Sequence, residues 1–229
     1  MGRMLGRADR RVVVVEDHHL FAEAMDLALS IEGYDVRRVQ VPDNPSAPGA
    51  LITAIARHRP AVVLLDLDLG TFGDGVRLID PIAGTGTNVV VVTGSHDRAR
   101  WGSAIQAGAR KVLSKTQPLH DVIATVRRVC TGLPVLDREE REELVAEWRL
   151  HQVEHEGLRK RLDQLSIRES EVLGQLMKGR AVRQIADRSA VSEATVRTQV
   201  KSILAKLEVT SQLAAVGMAH EVGWRAPVI

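Results

Sequence analysis

Ala61-Val62-Val63-Leu64-Leu65-Asp66 is an apolar run of strand length that ends in a carboxylate, and Leu67-Asp68-Leu69-Gly70 follows it. A run apolar on both faces suits a central strand of a parallel sheet, covered by helices above and below. In open sheets of that kind ligands sit at the carboxyl ends of the strands, so Asp66 falls where a site would be. One aspartate after a strand is also ordinary turn chemistry, and its company decides between the two. Arg11-Val12-Val13-Val14-Val15 ends in Glu16-Asp17, and Asn88-Val89-Val90-Val91-Val92 ends in Thr93-Gly94. Lys111-Val112-Leu113-Ser114 ends in Lys115. Three runs deliver carboxylates or a hydroxyl to one edge, and a fourth delivers an ammonium.

That set has chemical sense. Clustered carboxylates repel one another unless a cation joins them. Hard oxygen ligands with open water positions suit Mg²⁺. A hydroxyl and a lysine beside them can hold the oxygens of a phosphoryl group.

Between these runs the spacing is helical. Leu20, Phe21, Ala24, Leu27, Ala28 and Ile31 mark a helix over residues 18–31 that Gly33 stops. Further helices are expected over 50–57, 76–82, 95–107 and 118–130, and an alternating strand over 34–39. Pro42 to Gly49 reads as a loop by composition. Strand and helix alternate five times, which predicts an α/β doubly wound five-stranded parallel sheet.

The composition agrees. A length of 229 residues fits one or two domains. Hydrophobic content of 45% supports real cores, while 3% aromatics leaves Val, Leu, Ile and Ala to fill them. Cys130 is the only cysteine, so no intrachain disulfide forms and a reducing cytoplasm is the expected location. No apolar run approaches the roughly 20 residues of a membrane span. Residues 1–10 are rich in Arg and Gly and lack the apolar core of a secretion signal. Residues 1–9 are expected to be a short disordered start.

The order Glu16-Asp17, Asp66, Thr93, Lys115, with Asp74-Gly75 after the central aspartate, resembles the receiver domain of two-component response regulators. The resemblance implies that Asp66 accepts a phosphoryl group from a sensor histidine kinase. It implies that Glu16, Asp17, Asp66 and the backbone carbonyl of Asp68 hold Mg²⁺, and that Thr93 and Lys115 bind the phosphoryl oxygens. Two positions depart from the family. Gly70 and Thr71 stand where a proline is usual, in a loop one residue longer, so that loop is expected to move more. Val112 stands where the family commonly carries the Tyr or Phe that swings inward with the hydroxyl residue. With Thr93 and Val112 as the switch pair, switching is expected to be weaker or to run through other contacts.

Beyond Asp137 the character changes. Residues 134–163 hold six basic and nine acidic residues, a net −3, and residues 164–229 hold nine basic and six acidic, a net +3. Leu144, Trp148, His151, His155, Leu158, Leu162 and Leu165 recur at heptad steps. They mark either a parallel dimer seam or a single connector packed on its own chain. Ser166 with Glu169 forms a capping box ahead of an apolar helix over 170–177. Helices over 182–188 and 193–207, joined by a tight turn, read as a helix-turn-helix with a basic second helix. A fourth follows over 212–222.

Leu165-Ser166-Ile167-Arg168-Glu169-Ser170-Glu171-Val172-Leu173, Gln184-Ile185-Ala186 and the run from Val191 to Val200 resemble a LuxR-type DNA-binding domain. Receiver plus this domain is the layout of the NarL/FixJ response regulators. The resemblance implies that Arg197, Thr198 and Lys201 face base edges of double-stranded promoter DNA, with Arg183, Ser192 and Thr195 on phosphates. Val182 stands where Asn is usual, and Gln199 where His is usual. The expected domains are a receiver over 10–133, a helical linker over 134–163 and a helix-turn-helix domain over 164–229. The expected protein is a transcriptional regulator, not an enzyme, and a homodimer. A phosphatase using an aspartyl nucleophile, and a phosphorylation-independent regulator whose receiver only dimerises, are the alternatives.

Overall fold

A computed structural model describes residues 10–44 and 48–227. The expected disordered start, residues 1–9, lies outside the described residues. The chain divides into two compact units, one running to Arg149 and the other from Leu150.

Five strands form the sheet of the first unit: β1 (Arg11–Val15), β2 (Asp35–Val39), β3 (Val62–Leu65), β4 (Asn88–Thr93) and β5 (Lys111–Ser114). All pair in parallel, as the alternation of strand and helix predicts, and their order is β2-β1-β3-β4-β5. The Val- and Leu-rich runs are buried on both faces. Val13, Val15, Val63, Leu65, Val89 and Val91 belong to the core on one side, with α2 (Pro48–Arg57), α3 (Val76–Ala83) and α4 (Arg98–Gln106). Val12, Val14, Val62, Leu64, Val90 and Val92 belong to the core on the other, with α1 (His19–Ile31) and α5 (Leu119–Cys130). Period-2 alternation thus serves two cores at once.

Register aligns the strand ends. Val15 lies beside Leu65, Leu65 beside Val91, and Thr93 beside Ser114. The residues that follow each strand therefore emerge along one edge.

Some boundaries shift for local reasons. Helix α4 starts at Arg98, not Ser95, because the Asp97 side chain caps it by accepting the Arg100 N–H at 3.1 Å. Helix α2 starts at Pro48, inside the stretch expected as loop. A proline can occupy a first helical turn, where its missing N–H has no partner to lose. After β3 the chain makes a single 3-10 turn at Gly70–Phe72, and the Phe72 side chain is fully buried.

Helix α6 (Arg138–Leu162) carries the heptad stripe, and each unit uses its own part of it. Leu144, Val145 and Trp148 pack in the core of the first unit. Leu158, Leu162 and Leu165 pack in the core of the second. The ends of the stripe are therefore covered by the chain itself, as the connector reading expects. His151 and His155 lie ring to ring, 3.9 Å between centroids, and His155 Nε2 is 3.8 Å from a Glu221 carboxylate oxygen.

The second unit adds α7 (Ile167–Met177), α8 (Val182–Ser189), α9 (Glu193–Leu207) and α10 (Gln212–Glu221). Val172, Leu173, Ile185, Ala186, Val196, Val200, Ile203, Leu207 and Ala219 build its core.

In the first unit, Gly102 lies where α6 crosses α4. A Cβ there would overlap the Leu144 carbonyl oxygen and come 2.8 Å from Trp148 Cβ. Overpacking of this kind costs about 1–3 kcal/mol, and Gly102→Val is expected to lose that much. Urea unfolding read from Trp148 fluorescence, with Trp101 and Trp224 replaced by Phe, checks it. Gly49→Ala, in the same unit, is the control, because a Cβ at Gly49 meets nothing within 4 Å.

Candidate functional site

Asp66 follows β3 directly, and its N–H donates to the Val15 carbonyl at 3.0 Å. The residue is 2% exposed. Lys115 Nζ donates to Asp66 Oδ2 at 2.8 Å and reaches Glu16 Oε2 at 2.6 Å. The same ammonium lies 4.8 Å over the Phe21 ring. The other oxygen of Asp66 accepts the Asp68 N–H at 3.2 Å. Glu16 Oε1 accepts the His18 N–H at 3.0 Å. Asp17 Oδ1 is buried without a hydrogen bond, although His18 Nδ1 approaches to 2.9 Å.

The electrostatics follow from burial. Desolvation raises the pKa of Glu16; the hydrogen bond from Lys115 works against this, and the charge of Asp66 adds to it. Burial disfavours the Lys115 ammonium, but its hydrogen bonds to Asp66 and Glu16 outweigh that and raise its pKa. The hydrogen bond to Glu16, then the charge of Asp17, raises His18. Asp66 and Glu16 thus share one part-buried ammonium, that of Lys115.

One ligand atom from each of Glu16, Asp17, His18 and Asp66 lies within 4.8 Å of the others. The three carboxylates among them, with the orphaned Asp17 oxygen, supply the hard oxygen ligands that suit a divalent cation such as Mg²⁺. Thr93 is fully buried at the end of β4; its hydroxyl accepts the Ser95 N–H at 3.2 Å and its carbonyl accepts the Lys115 N–H at 2.8 Å. Val112 is buried in the sheet core.

The loop after Asp66 is hydrogen-bonded both within itself and to α4. Gly75 N–H donates to the Leu67 carbonyl at 2.8 Å, and a Cβ at Gly75 would overlap the Asp66 carbonyl oxygen. From α4, Arg100 donates to the Asp68 carboxylate at 2.7 Å, the Leu67 carbonyl at 2.8 Å and the Asp74 carboxylate at 3.0 Å. Nothing local in Arg98-Ala99-Arg100-Trp101 marks Arg100. Phe21 was legible only as a core position of α1.

In the second unit, Ser192 caps α9 by accepting the Thr195 N–H at 3.1 Å, and the two hydroxyls lie 2.9 Å apart. Ala190 takes the left-handed backbone, φ 51°, that turns α8 into α9. Val196, Val200, Ile203 and Leu207 are buried, as their spacing predicts. Arg183, Ser192, Thr195, Arg197, Thr198 and Lys201 are all exposed. Arg197 pairs with Glu193 at 3.2 Å, and the Thr198 hydroxyl donates to the Ala194 carbonyl at 3.0 Å. Glu169, from the capping box, also anchors α9: it accepts from Ser202 at 2.6 Å and Lys206 at 2.7 Å.

Residues 12–127 match the response regulator receiver domain family, and residues 163–219 match the bacterial regulatory proteins of the luxR family. A probable transcriptional regulatory protein NarL of Mycobacterium tuberculosis is 31% identical over 91% of this chain and 93% of its own length. The transcriptional regulatory protein DesR of Bacillus subtilis is 23% identical over 93% of this chain and 98% of its own length.

Glu169 generates a pH prediction. Burial opposes its ionisation, but the hydrogen bonds from Lys206, Ser202 and the Ser166 N–H outweigh it and hold the carboxyl at about 2. The stabilisation is therefore complete above the ordinary carboxylate value of 4.5 and is lost as pH falls toward 2. Glu169→Ala leaves partners unsatisfied and is expected to cost about 1–3 kcal/mol at neutral pH. That penalty should shrink steadily below pH 4.5. Urea unfolding followed at Trp224, with Trp101 and Trp148 replaced by Phe, measures it.

Proposed function

The chain belongs to the NarL/FixJ response regulators, DNA-binding transcriptional regulators with a receiver domain and a LuxR-type helix-turn-helix, and on that premise we propose that phosphorylation of Asp66 switches it. The observation that carries the proposal is the buried Asp66 carboxylate, bonded to Lys115 and facing Glu16 and Asp17. The donor is a phosphohistidine of a sensor kinase. An Asp66 carboxylate oxygen attacks phosphorus, the P–N bond breaks, and the leaving imidazole keeps the electron pair and takes a proton. The product is an aspartyl phosphate.

Glu16, Asp17, Asp66 and the Asp68 carbonyl would hold Mg²⁺, which when bound offsets the charge of the carboxylates and of the incoming phosphoryl group. Lys115 changes partners, from carboxylate to phosphoryl oxygen, and remains charged throughout. Thr93 accepts from Ser95, which leaves its hydroxyl hydrogen to donate to a phosphoryl oxygen. Arg197, Thr198 and Lys201 read base edges in the major groove, and Arg183, Ser192 and Thr195 hold phosphates and set register. The Arg197–Glu193 pair is exposed at both ends and yields readily to a guanine. A cytoplasmic homodimer on promoter DNA completes the proposal. Val112 favours a second reading, a regulator that binds DNA without phosphorylation.

Incubation with acetyl phosphate and Mg²⁺ should add the mass of one phosphoryl group, and Asp66→Asn should abolish that gain. Labelling that survives in Asp66→Asn rejects the assignment, and no labelling of the native chain supports the second reading. On DNA, Arg197→Ala is expected to cost about 1–3 kcal/mol at the specific site and to relax one base preference. Arg183→Ala should weaken all sequences alike and flatten the salt dependence. Equal losses by both variants on specific and random duplexes would show that neither residue reads bases.

A further inference from the structure

The loop that follows Asp66 is held from outside. Arg100 projects from the first turn of α4 and spends its guanidinium on three acceptors of this one segment. Nη1 donates to Asp68 Oδ1 at 2.7 Å, and Nη2 donates to the Leu67 carbonyl at 2.8 Å and to Asp74 Oδ1 at 3.0 Å. The side chain is 22% exposed, whereas the two carboxylates it meets are more than half exposed. The arginine has thus given up more water than its partners have. Burial opposes its charge, but hydrogen bonds to Asp68 and Asp74 outweigh that and raise its pKa.

The base of the arginine is fixed as well. Its N–H donates to the Asp97 cap, and the neighbouring Trp101 indole donates to the Ser95 carbonyl at 2.9 Å. The clamped end of the loop is Asp68, whose N–H donates to Asp66.

We propose that Arg100 is a positioning residue of the cation site: by its fork it fixes the Leu67–Asp68 backbone, so that the Asp68 carbonyl is available to Mg²⁺ and the Asp68 N–H to Asp66. This rests on the reading of Asp66 as phosphoacceptor with Mg²⁺ beside it. Geometry, not charge, is what the proposal assigns to Arg100. A planar guanidinium satisfies three separated acceptors at once, and an ammonium does not reproduce that pattern. The sign of the effect separates the two roles. As a mere positive charge beside a cation site, Arg100 weakens Mg²⁺ binding by repulsion, and its removal tightens binding. As a clamp, Arg100 strengthens Mg²⁺ binding, and its removal loosens it.

The test uses the full chain: native, Arg100→Ala, Arg100→Lys and Asp66→Asn. Mg²⁺ alone is titrated by calorimetry, and acetyl phosphate labelling is then followed at limiting and at saturating Mg²⁺. Loss of a residue that orients a metal ligand typically weakens the site on the order of 10-fold, and Arg100→Ala is expected to raise the Mg²⁺ midpoint by about that factor. Arg100→Lys should raise it nearly as much. Labelling by both should approach the native rate once Mg²⁺ saturates, a split that general destabilisation does not produce. An unchanged or tighter Mg²⁺ midpoint in Arg100→Ala overturns the proposal, as does a native midpoint in Arg100→Lys. If Arg100→Ala fails to fold, Arg100→Lys decides alone, since it keeps charge and helix and loses only the fork. Failure of the parent reading shows elsewhere: the native chain then takes no phosphoryl group, or labels equally with Asp66→Asn.

Discussion

One ammonium holds the site together. Lys115 Nζ lies within hydrogen-bond distance of both Asp66 and Glu16, and both carboxylates are nearly solvent-free. Two buried anions at that separation are unfavourable unless a cation joins them. The sheet supplies the cation by bringing the end of β5 beside the ends of β1 and β3, with β4 between. Sequence separations of 99 and 49 residues collapse into one contact, brought about here by parallel pairing in this order. A third carboxylate, Asp17, remains with a buried oxygen unbonded. The protein has therefore compensated its acidic set only in part, and the remainder is the physical reason the pocket suits a divalent cation.

The doubly wound sheet was legible because β1, β3, β4 and β5 are apolar runs and are followed by acids, a hydroxyl or an amine, while the half-exposed edge strand β2 showed only as an alternation. The same holds for α9, where Val196, Val200, Ile203 and Leu207 announce the buried stripe and so expose Arg197 and Lys201. The contacts that hold the β3–α3 loop were not legible. Arg100 acts on residues 26 to 33 positions away, and nothing in its own helix distinguishes it from Arg98, which pairs with Glu147 on α6. The heptad stripe on α6 was legible as a pattern and ambiguous as a partner. A 4,3 repeat shows that a face is buried, and the same repeat fits burial against another chain or against two different parts of the same one. Here Leu144 and Leu162 are both almost fully buried, each in its own unit's core.

The absence of a ring at Val112 also takes on a physical sense. In this chain Val112 is buried among aliphatic side chains and has no polar group to reorient. Helix α4 offers another connection. Its first turn grips the loop beside Asp66 through Arg100, and two residues later Gly102 admits the backbone of α6 so closely that no side chain fits. Arg98 from the same turn pairs with Glu147 of α6 at 2.7 Å. Any displacement of Asp68 at the cation site must then either carry α4 with it or break the hydrogen bonds of a partly buried guanidinium. The second course leaves a desolvated charge without its partners, which is the costlier outcome. A movement of α4 is felt at once where α6 lies against Gly102, because close-packed backbone has no slack to absorb it. Helix α4 thus touches the loop beside Asp66 through Arg100 and α6 through Gly102 and Arg98.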